Sequence, residues 1–424
     1  MVTVFFQNAM VIDGSGAVPQ AADVLVDGNR IAAIGAAGTL RATPDAAAFD
    51  CTGKTLMPGL IEPHAHLSFL DQASPHAFSA MPPEEHLLAT LKHAKIYIDQ
   101  GFTGCFSAAA TKPRLDVVAR NAINAGDHPG PRLLACSVQL TVTGGLGDLR
   151  ELHLDPGDAM YTRPCDGPVE FRRAAREACR DGVDIIKLNP SGDTSTPAVP
   201  SGRTVMADDE MAAVAEVARQ HGRRLAAHAR SAESVKMCLR HGVEVIYHAT
   251  YADEEALDLL EAAKDRIFVA PAISVTYTRL HEFPFPTTDA VKARISRDLE
   301  ATVARMQALK KRGVRVLPGG DYGFQWNPHG RNARDLDYFV RLMGWTPMEA
   351  IVGATALGGA IMGMADELGQ VRQGFLADLL LVDGNPLEDV TILQDRTKLL
   401  AIMKDGAFHK PPPAQLQRRR REAA

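Results

Sequence analysis

Both ends of the chain consist of short apolar stretches that are separated by turn signals, a pattern that predicts β-strands. In residues 1–57 these stretches read TVFFQNAMVIDGSG, ADVLVDGNRIAAIG and AAAFDCTGKTL. Residues 368–424 resume the pattern with DLLLVDGNP and LLAIMKDGAFHK. Two turn pairs near the start are hairpin signals: Asp27-Gly28 and Thr52-Gly53. Because neither end could complete a sheet alone, we predict that both pair into one small β-sandwich domain.

The middle of the chain, residues 58–367, alternates apolar strand candidates with helical stretches such as MADDEMAAVAEVARQHG and RSAESVKMCLRHG. Eight strand candidates occur there: Gly59–His64, Thr103–Ala108, Arg132–Leu140, Asp184–Asn189, Arg224–His228, Val243–His248, Phe268–Ser274 and Val314–Asp321. Gly222, Gly242 and Gly313 stand where helices must end before the next strand begins. Eight strands with eight helical crossovers predict an α/β fold, the (β/α)8 TIM barrel.

Composition and charge narrow the possible functions. The chain has 424 residues, of which 46% are hydrophobic and 23% charged, enough for one large core and a smaller one. Its net charge of −5 provides no basic field for nucleic acid. The one basic run, Arg418–Arg421, is typical of a disordered, solvated tail, and we assign it no function. We expect a small-molecule substrate, no nucleic-acid partner and association into a homo-oligomer.

The cysteines and the hydrophobic segments bear on the cellular compartment of the protein. Six cysteines contain no C-x-x-C pair, which favours reduced, mostly buried thiols: Cys51, Cys105, Cys136, Cys165, Cys179 and Cys238. The first residues lack the charged and apolar regions of a secretory leader, and no apolar run is long enough to span a bilayer. The sequence therefore predicts a cytoplasmic protein with no membrane partner.

The stretch LMPGLIEPHAHLSFLD, residues 56–71, ends an apolar strand in two histidines set one residue apart. Because side chains alternate along a strand, His64 and His66 would project from the same face, where two imidazoles can bind one ion. In a chain with 14 histidines such a pair also arises by chance, usually as two exposed rings. The metal interpretation depends on whether further ligands occur at other strand ends.

Further ligand candidates do occur at those ends, where the active site of a (β/α)8 barrel lies. Lys187 interrupts the apolar strand DIIKLN, His228 and His248 end the fifth and sixth strands, and Asp321 ends the eighth. Singly, each histidine is typical of a core residue and the aspartate of a loop. A buried lysine needs a carboxylate partner, or else carbamylation by CO2 to give an anionic bridging ligand. Together, at successive strand ends, these residues predict a metal site.

The sequence resembles the amidohydrolase superfamily over nearly its whole length. CTGKTLMPGLIEPHAHL is similar to the opening signature of that superfamily and GQVRQGFLADLLLVDGNPLEDV to the closing one, while HGRNARDLDYFVRLMGWTPMEAIVGATALGGAIMG resembles the segment between them. The resemblance is nearest to the branch of imidazolonepropionase-like proteins, prolidase-type dipeptidases, ochratoxin amidases and phenylurea hydrolases. It implies a binuclear metal site with six ligands: His64, His66, carboxylated Lys187, His228, His248 and Asp321.

The resemblance also implies the chemistry. Two divalent ions, expected to be Zn²⁺, would be bridged by a CO2-derived carbamate on Lys187 and by a hydroxide, which forms because the ions lower the pKa of the bound water towards neutrality. Asp321 would take the proton at attack and deliver it to the leaving nitrogen, and with Lys187 and His248 it forms the expected catalytic set. The expected reaction is hydrolysis of an amide, carbamate or urea C–N bond. Lactones and esters stay open as alternatives, because the same hydroxide attacks them.

One departure from the relatives bears on the substrate. Prolidase-type members usually carry Thr-Gly-Gly-His-Gly-Asp after the third strand, whereas TVTGGLGDL places Leu146 at the position of that histidine. An apolar wall there favours an aromatic or hydrophobic substrate over a zwitterionic dipeptide, although a leucine that merely packs explains it equally well.

Several other residues lie near the predicted mouth of the site: Arg230, Tyr251, Tyr277, Arg279, Tyr322, Trp326 and His329. Either Arg230 or Arg279 could clamp a substrate carboxylate, or each could be a solvated loop residue. The expected substrate contacts are five: Leu146, Arg230, Tyr277, Tyr322 and Trp326.

Two other functions are weaker explanations of the sequence. A deaminase of amino-heterocycles on the same barrel typically uses one metal and a His-x-x-Glu after strand five, but Ser231 stands where that glutamate would be. Lys187 would have no obvious role in such an enzyme. A barrel retained only for assembly would be expected to have lost ligands, and all six are present.

Overall fold

The structure, a computed structural model, describes residues 3–41, 44–150, 153, 160–194, 199–283 and 288–417. The basic run Arg418–Arg421 therefore lies outside the described residues. The strands are β1 Val4–Val11, β2 Gln20–Asp27, β3 Arg30–Ala36, β4 Ala47–Asp50, β5 Thr55–Pro58, β6 Leu60–Ala65, β7 Phe102–Ser107, β8 Arg132–Leu134, β9 Cys136–Thr141, β10 Thr162–Pro164, β11 Ile185–Leu188, β12 Arg224–Ser231, β13 Val245–Tyr251, β14 Phe268–Ala270, β15 Leu379–Val382, β16 Leu399–Lys404 and β17 Ala407–Lys410. The helices are α1 Pro75–Ala80, α2 Pro83–Asp99, α3 Leu115–Ala125, α4 Gly167–Asp181, α5 Asp208–Gln220, α6 Ala232–Arg240, α7 Glu254–Ala262, α8 Ile273–His281, α9 Asp289–Lys311, α10 Arg334–Met343, α11 Pro347–Ala354 and α12 Ala356–Ile361.

The two chain ends pair in one hydrogen-bonded sheet, as the sequence predicts. Its strand order is β17-β16-β15-β5-β1-β2-β3, with β4 beside β1. The two ends meet where β5 runs antiparallel to β15, with Leu56 opposite Leu381. Apolar residues from both ends share one buried core under this sheet.

One of the two predicted hairpins is confirmed and the other is wrong. Asp27 and Gly28 turn β2 back onto β3, with Gly28 in the left-handed conformation at φ +61°. Thr52-Gly53 does not form a hairpin, because β4 and β5 both run parallel to β1 and do not pair with each other. The register of β1 shifts between Phe6 and Ala9, so its first half pairs with β4 and its last residues with β5.

The middle of the chain has the predicted alternation of parallel strands and helices. Within the described residues the strands form two parallel sheets, β6-β7-β8 and β10-β9-β11-β12-β13-β14. Only Ala135 separates β8 from β9, and Val316 continues the second sheet by a parallel bridge to Val269. One buried core cluster contains an apolar residue from each of the eight predicted strands: Ile61, Phe106, Cys136, Ile185, Ala226, Val245, Phe268 and Leu317.

Helix ends and cysteines also agree with the sequence. Gly222, Gly242 and Gly313 each lie just past the last turn of a helix, all with φ between +61° and +76°. All six cysteines are buried and unpaired. Among the described helices, none combines the length and the apolar character needed to cross a bilayer.

The shared core of the terminal sheet should make both chain ends contribute to stability. Leu381 is 1% exposed and lies in that core, whereas Val18 is 82% exposed. We expect Leu381→Ala to lower the free energy of unfolding by about 2–5 kcal/mol, since it opens a cavity between strands from opposite chain ends. Val18→Ala should change it little. Urea unfolding followed by circular dichroism measures both, and equal losses would contradict the shared core.

Candidate metal and substrate site

All six residues that the sequence predicts as metal ligands line one cavity of about 350 Å³. Four lie in β6, β11, β12 and β13, one directly follows β6, and one follows the bridge residue Val316 by five positions: His64, Lys187, His228, His248, His66 and Asp321. The structure therefore brings together side chains that are 257 positions apart in the chain, from His64 to Asp321.

A carboxylate lies between the two histidines of the first strand. The Oδ1 atom of Asp321 is 3.1 Å from Nε2 of His66 and 3.8 Å from Nε2 of His64. One ligand atom of each of these three residues lies within 4.8 Å of the others. Burial raises the pKa of the Asp321 carboxyl, but the neighbouring imidazoles and the Lys187 ammonium outweigh this and hold that pKa well below its usual range. Asp321 is therefore an ionised acceptor that faces two rings.

The remaining three residues continue the cluster from neighbouring strands. The His248 ring lies 4.3 Å from the His228 ring and 5.5 Å from the His64 ring, measured between centroids. The Lys187 ammonium lies 4.2 Å above the ring of Tyr247, which itself stacks on His64. Burial lowers the pKa of Lys187 to about 8. Among the described residues no carboxylate forms an ion pair with this ammonium, so a paired structural lysine does not explain it.

The hydrogen bonds of the rings leave nitrogen lone pairs available. Nδ1 of His66 bonds the carbonyl of Ala109 at 3.2 Å, and Nε2 of His228 bonds the carbonyl of Gly192 at 3.1 Å. A carbonyl only accepts, so the bonded nitrogen carries a hydrogen. In the neutral His228 ring the opposite nitrogen keeps its lone pair, whereas Nε2 of His66 faces the Asp321 carboxylate. His64 Nδ1 is buried and has no hydrogen-bond partner among the described residues.

Burial also keeps three of these rings uncharged. It lowers the pKa of His228 to about 3 and places the pKa values of His64 and His248 well below the ordinary value. A neutral imidazole whose second nitrogen is held by a carbonyl is the form that binds divalent metal ions. The donor set therefore fits a metal centre made of imidazoles and a carboxylate.

Two of the six residues adopt a backbone conformation that is uncommon for a side chain with a Cβ. His248 has φ +75° and Asp321 has φ +58°. A left-handed residue of this type costs about 1–3 kcal/mol and is concentrated at functional sites. His248 lies within β13 where its pairing with β12 becomes irregular, Asp321 lies in a segment without regular structure, and both residues line the cavity.

One side of the cavity is an aromatic wall, which we define as Phe69, Tyr161, Phe324 and Trp326, with the buried Phe78 packed behind it. Phe69 stacks on the ring of His66, with centroids 4.1 Å apart and planes 10° apart. Phe78 stacks on Phe69, and Phe324 meets Phe69 edge-on at 5.2 Å. Trp326 stacks on Phe324 at 4.8 Å. The wall thus begins at a metal-ligand candidate and extends along the cavity.

The structure brings three of the five predicted substrate contacts to the cavity. Leu146, Arg230 and Trp326 line it. Tyr322 does not, because the residue after Asp321 points into the core, where its hydroxyl donates to the carbonyl of Asn332. Tyr277 does not, because its ring packs against Tyr338 on the far side of α8. Both tyrosines are corrections to the sequence prediction.

The arginines at the cavity have different surroundings. Arg230 is 3% exposed, and its Nε lies 2.8 Å from a carboxylate oxygen of Asp193. Its Nη1 donates to the hydroxyl of Thr250. Arg279 lies over the ring of Trp326, 5.2 Å from its centroid. Arg230 is thus a buried, paired cation in the cavity wall.

Sequence reasoning missed most of the aromatic wall. Phe69 follows His66 by three residues, and Phe324 follows Asp321 by three, so both could have been found by reading outward from the ligand candidates. Tyr161 and the Phe78 ring behind the wall carry no such signal, because they lie outside the central strands in segments that only the folded chain brings next to Phe69.

Several known proteins resemble this chain in sequence or in fold. The sequence pattern of the Amidohydrolase family matches residues 55–408. Ochratoxinase from Aspergillus niger is 29% identical over 306 residues, which cover 69% of this chain but 62% of the length of ochratoxinase. An imidazolonepropionase from Sphingopyxis alaskensis is 23% identical over 356 residues, covering 81% of this chain and 82% of that protein. A solved prolidase structure, complexed with N-methylphosphonate-L-proline, matches with a TM-score of 0.86 and 26% identity over 96% of this chain and 100% of that one.

All six clustered residues lie within the range that the family pattern matches. The pattern covers the strands β6–β14 and, from the sheet of the chain ends, β5, β15 and β16. This chain therefore belongs to the amidohydrolase family.

Proposed function

We propose that this protein is a metal-dependent hydrolase that cleaves the C–N bond of a small amide, carbamate or urea with an aromatic or hydrophobic group. The observation that carries the proposal is the cavity itself, in which an ionised Asp321, a lysine without a carboxylate partner and neutral imidazoles meet one end of an aromatic wall. Family membership supports the hydrolytic reaction, and the wall supports the substrate class.

We further propose that the two parallel sheets are parts of one closed (β/α)8 barrel, with the chain ends as a β-sandwich domain. The core cluster that takes one side chain from each of the eight strand positions supports closure. The domains would then be residues 58–367 for the barrel and residues 1–57 with 368–424 for the sandwich.

Two divalent ions, with Zn²⁺ as our expectation, would be held by His64, His66, His228, His248, Asp321 and a carbamate on Lys187. When bound, such ions polarise a carbonyl and lower the pKa of water. The pKa of about 8 supports carbamylation, because CO2 reacts with the unprotonated amine that this value makes available near neutral pH. The carbamate would turn a buried cation into an anionic ligand.

Asp321 would move the proton in the reaction. The water oxygen forms a bond to the substrate carbonyl carbon, and the proton passes to the Asp321 carboxylate. The C–N bond breaks as Asp321 returns that proton to the leaving nitrogen, which gives an acid and an amine. The Asp321 side chain is 15% exposed and faces the cavity, so it can reach both water and substrate.

The aromatic wall and Leu146 would orient the substrate and exclude bulk water. A substrate ring can stack on Phe324 or Trp326 while the scissile carbonyl lies near the His66 end of the wall. Leu146 lines the same cavity and presents no polar group to a dipeptide. Lactone or ester hydrolysis and deamination of an amino-heterocycle are the alternatives, which the substrate panel below separates.

We expect activity to require two bound metal ions per chain. Removal of metal with a chelator should abolish turnover, and Zn²⁺ with bicarbonate should restore it, because the ligand set exceeds what one tetrahedral ion uses. Lys187→Ala protein should bind about one ion fewer, since it cannot form the bridging carbamate. Elemental analysis beside activity measures this. About one ion in active protein, unchanged by Zn²⁺ and bicarbonate, would contradict the binuclear centre.

We expect Asp321→Asn to lower kcat by about 10²–10⁴-fold, because an amide cannot accept the proton that water gives up. Metal content should be measured for the same sample, so that loss of a ligand is separated from loss of the base. Asp337→Asn is the matched control, since Asp337 lies in α10 and pairs with Arg341 away from the cavity. Full turnover by Asp321→Asn would exclude the proton-transfer role.

A substrate panel tests the proposed specificity. It contains arylamides, phenylureas, N-acyl aromatic amino acids, dipeptides, lactones and amino-heterocycles. We expect amine release from the aromatic C–N substrates, and we expect Leu146→His to shift the preference towards dipeptides by about 10-fold or more. Leu88→His is the control, since Leu88 is 69% exposed and lies outside the cavity. Ammonia from the heterocycles alone would support deamination instead, and an unchanged profile would show that Leu146 only packs.

A further inference from the structure

Three buried histidines outside the proposed metal site contact three successive backbone carbonyls. Nε2 of His329 lies 3.0 Å from the carbonyl oxygen of His66, and Nδ1 of His93 lies 2.8 Å from that of Leu67. Nε2 of His86 bonds the carbonyl of Ser68. These carbonyls belong to the bend that follows β6 and carries the ligand candidate His66.

The direction of these bonds is determined by the acceptor. A backbone carbonyl has no hydrogen to give, so each contacting ring nitrogen must be an N–H donor. All three rings are at most 8% exposed, so water does not compete for the bonds. We call His86, His93 and His329 the histidine brace.

Part of the brace resembles a second metal site but is organised by hydrogen bonds. Ligand atoms of Asp71, His93 and His329 lie within 4.8 Å of one another. Yet Nδ1 of His329 is 2.8 Å from Oδ1 of Asp71, and the backbone N–H of His329 donates to the same oxygen. The other nitrogen of His329 is occupied by the carbonyl of His66. One carboxylate oxygen of Asp71 thus contacts both the backbone N–H and the ring of His329, and Asp71 orients that ring towards the bend.

The brace holds the bend from two independent parts of the fold. His86 and His93 are seven residues apart on α2, so they lie on one face of that helix. His329 comes from the segment after the eighth strand position and stacks on His93, with centroids 4.0 Å apart. The bend is thus fixed between α2 and the segment that follows Asp321.

We propose that the histidine brace is a set of positioning residues that aims His66 at the metal site by fixing the carbonyls of residues 66–68. The inference rests on the proposed function, because it assigns the brace to a metal ligand. The same bend also positions Phe69, the ring that stacks on His66. Replacement of groups that hydrogen-bond a ligating side chain commonly changes metal affinity by about 10–100-fold. We expect an effect of the same order here, where the brace fixes the backbone that carries the ligand.

A crossed pair of substitutions tests this role, because the two rings use different nitrogens. A glutamine amide reaches the Nε2 position of a histidine, and an asparagine amide reaches the Nδ1 position. His329→Gln and His93→Asn therefore keep the donor to the bend, whereas His329→Asn and His93→Gln remove it. Tyr97→Phe is the control for a change in the same core, since the Tyr97 ring packs beside His329.

The readout is Zn²⁺ affinity, measured by competition with a chromophoric chelator, with thermal unfolding as the check on folding. We expect His329→Asn and His93→Gln to weaken Zn²⁺ binding by about 10–100-fold, and the donor-keeping variants and Tyr97→Phe to stay close to the wild type. The brace would be overturned if the same substitution, Asn or Gln, gave the weaker Zn²⁺ affinity at both His93 and His329. Wild-type Zn²⁺ affinity in all four variants would also overturn it. Wild-type protein that binds no Zn²⁺ would overturn the metal site itself, and the inference with it.

Discussion

Burial of titratable groups at the carboxyl ends of parallel strands is the constraint on which the rest of this site depends. Burial away from water disfavours the charged form of an imidazole, so the rings of His64, His228 and His248 are neutral. Each ring therefore keeps a nitrogen lone pair that a proton would otherwise occupy. The same burial would disfavour the charge of Asp321, yet its neighbours keep it ionised. The Lys187 ammonium is one of those neighbours and lines the same cavity. In the proposed function, a divalent ion would join this cluster and be bound by the carboxylate and by imidazole lone pairs.

The terminal sheet contributes to this arrangement although it lies outside the cavity. Strand β5 belongs to that sheet, and only Gly59 separates it from β6, which carries His64. A Cβ atom added to Gly59 would lie 2.2 Å from the hydroxyl oxygen of Thr103. Only a glycine therefore allows the backbone to pass this close to β7 as it leaves one sheet for the other. The position of the first ligand strand is therefore set by strand pairing at the chain ends.

The ligand candidates could be predicted from sequence because the end of an apolar run can be located without knowledge of the fold. A histidine, lysine or aspartate that ends an apolar run is recognisable before the fold is known, and the parallel arrangement then brings such ends together. Tyr322 was predicted wrongly because it is adjacent to Asp321 in sequence but faces the core. Phe78 and Tyr161 were missed because their contacts with Phe69 depend on how α1 and the segment before β10 pack beside the bend after β6. The hairpin prediction at Thr52-Gly53 was wrong for a similar reason. The two strands on either side of this turn both pair with β1, one with its first half and one with its last residues.

In the proposed enzyme, the stacking of Phe69 on His66 would link substrate recognition to the geometry of the metal site at one end of the aromatic wall, but not at the other. A change of Phe69 disturbs a ring that touches a ligand candidate, so few substitutions there leave catalysis intact. Trp326 is separated from His66 by two further rings, Phe324 and Phe69. In such an enzyme, substitutions that change the substrate would be tolerated best at Trp326 and least at Phe69. The freedom to evolve new specificity would therefore increase along the wall with distance from His66.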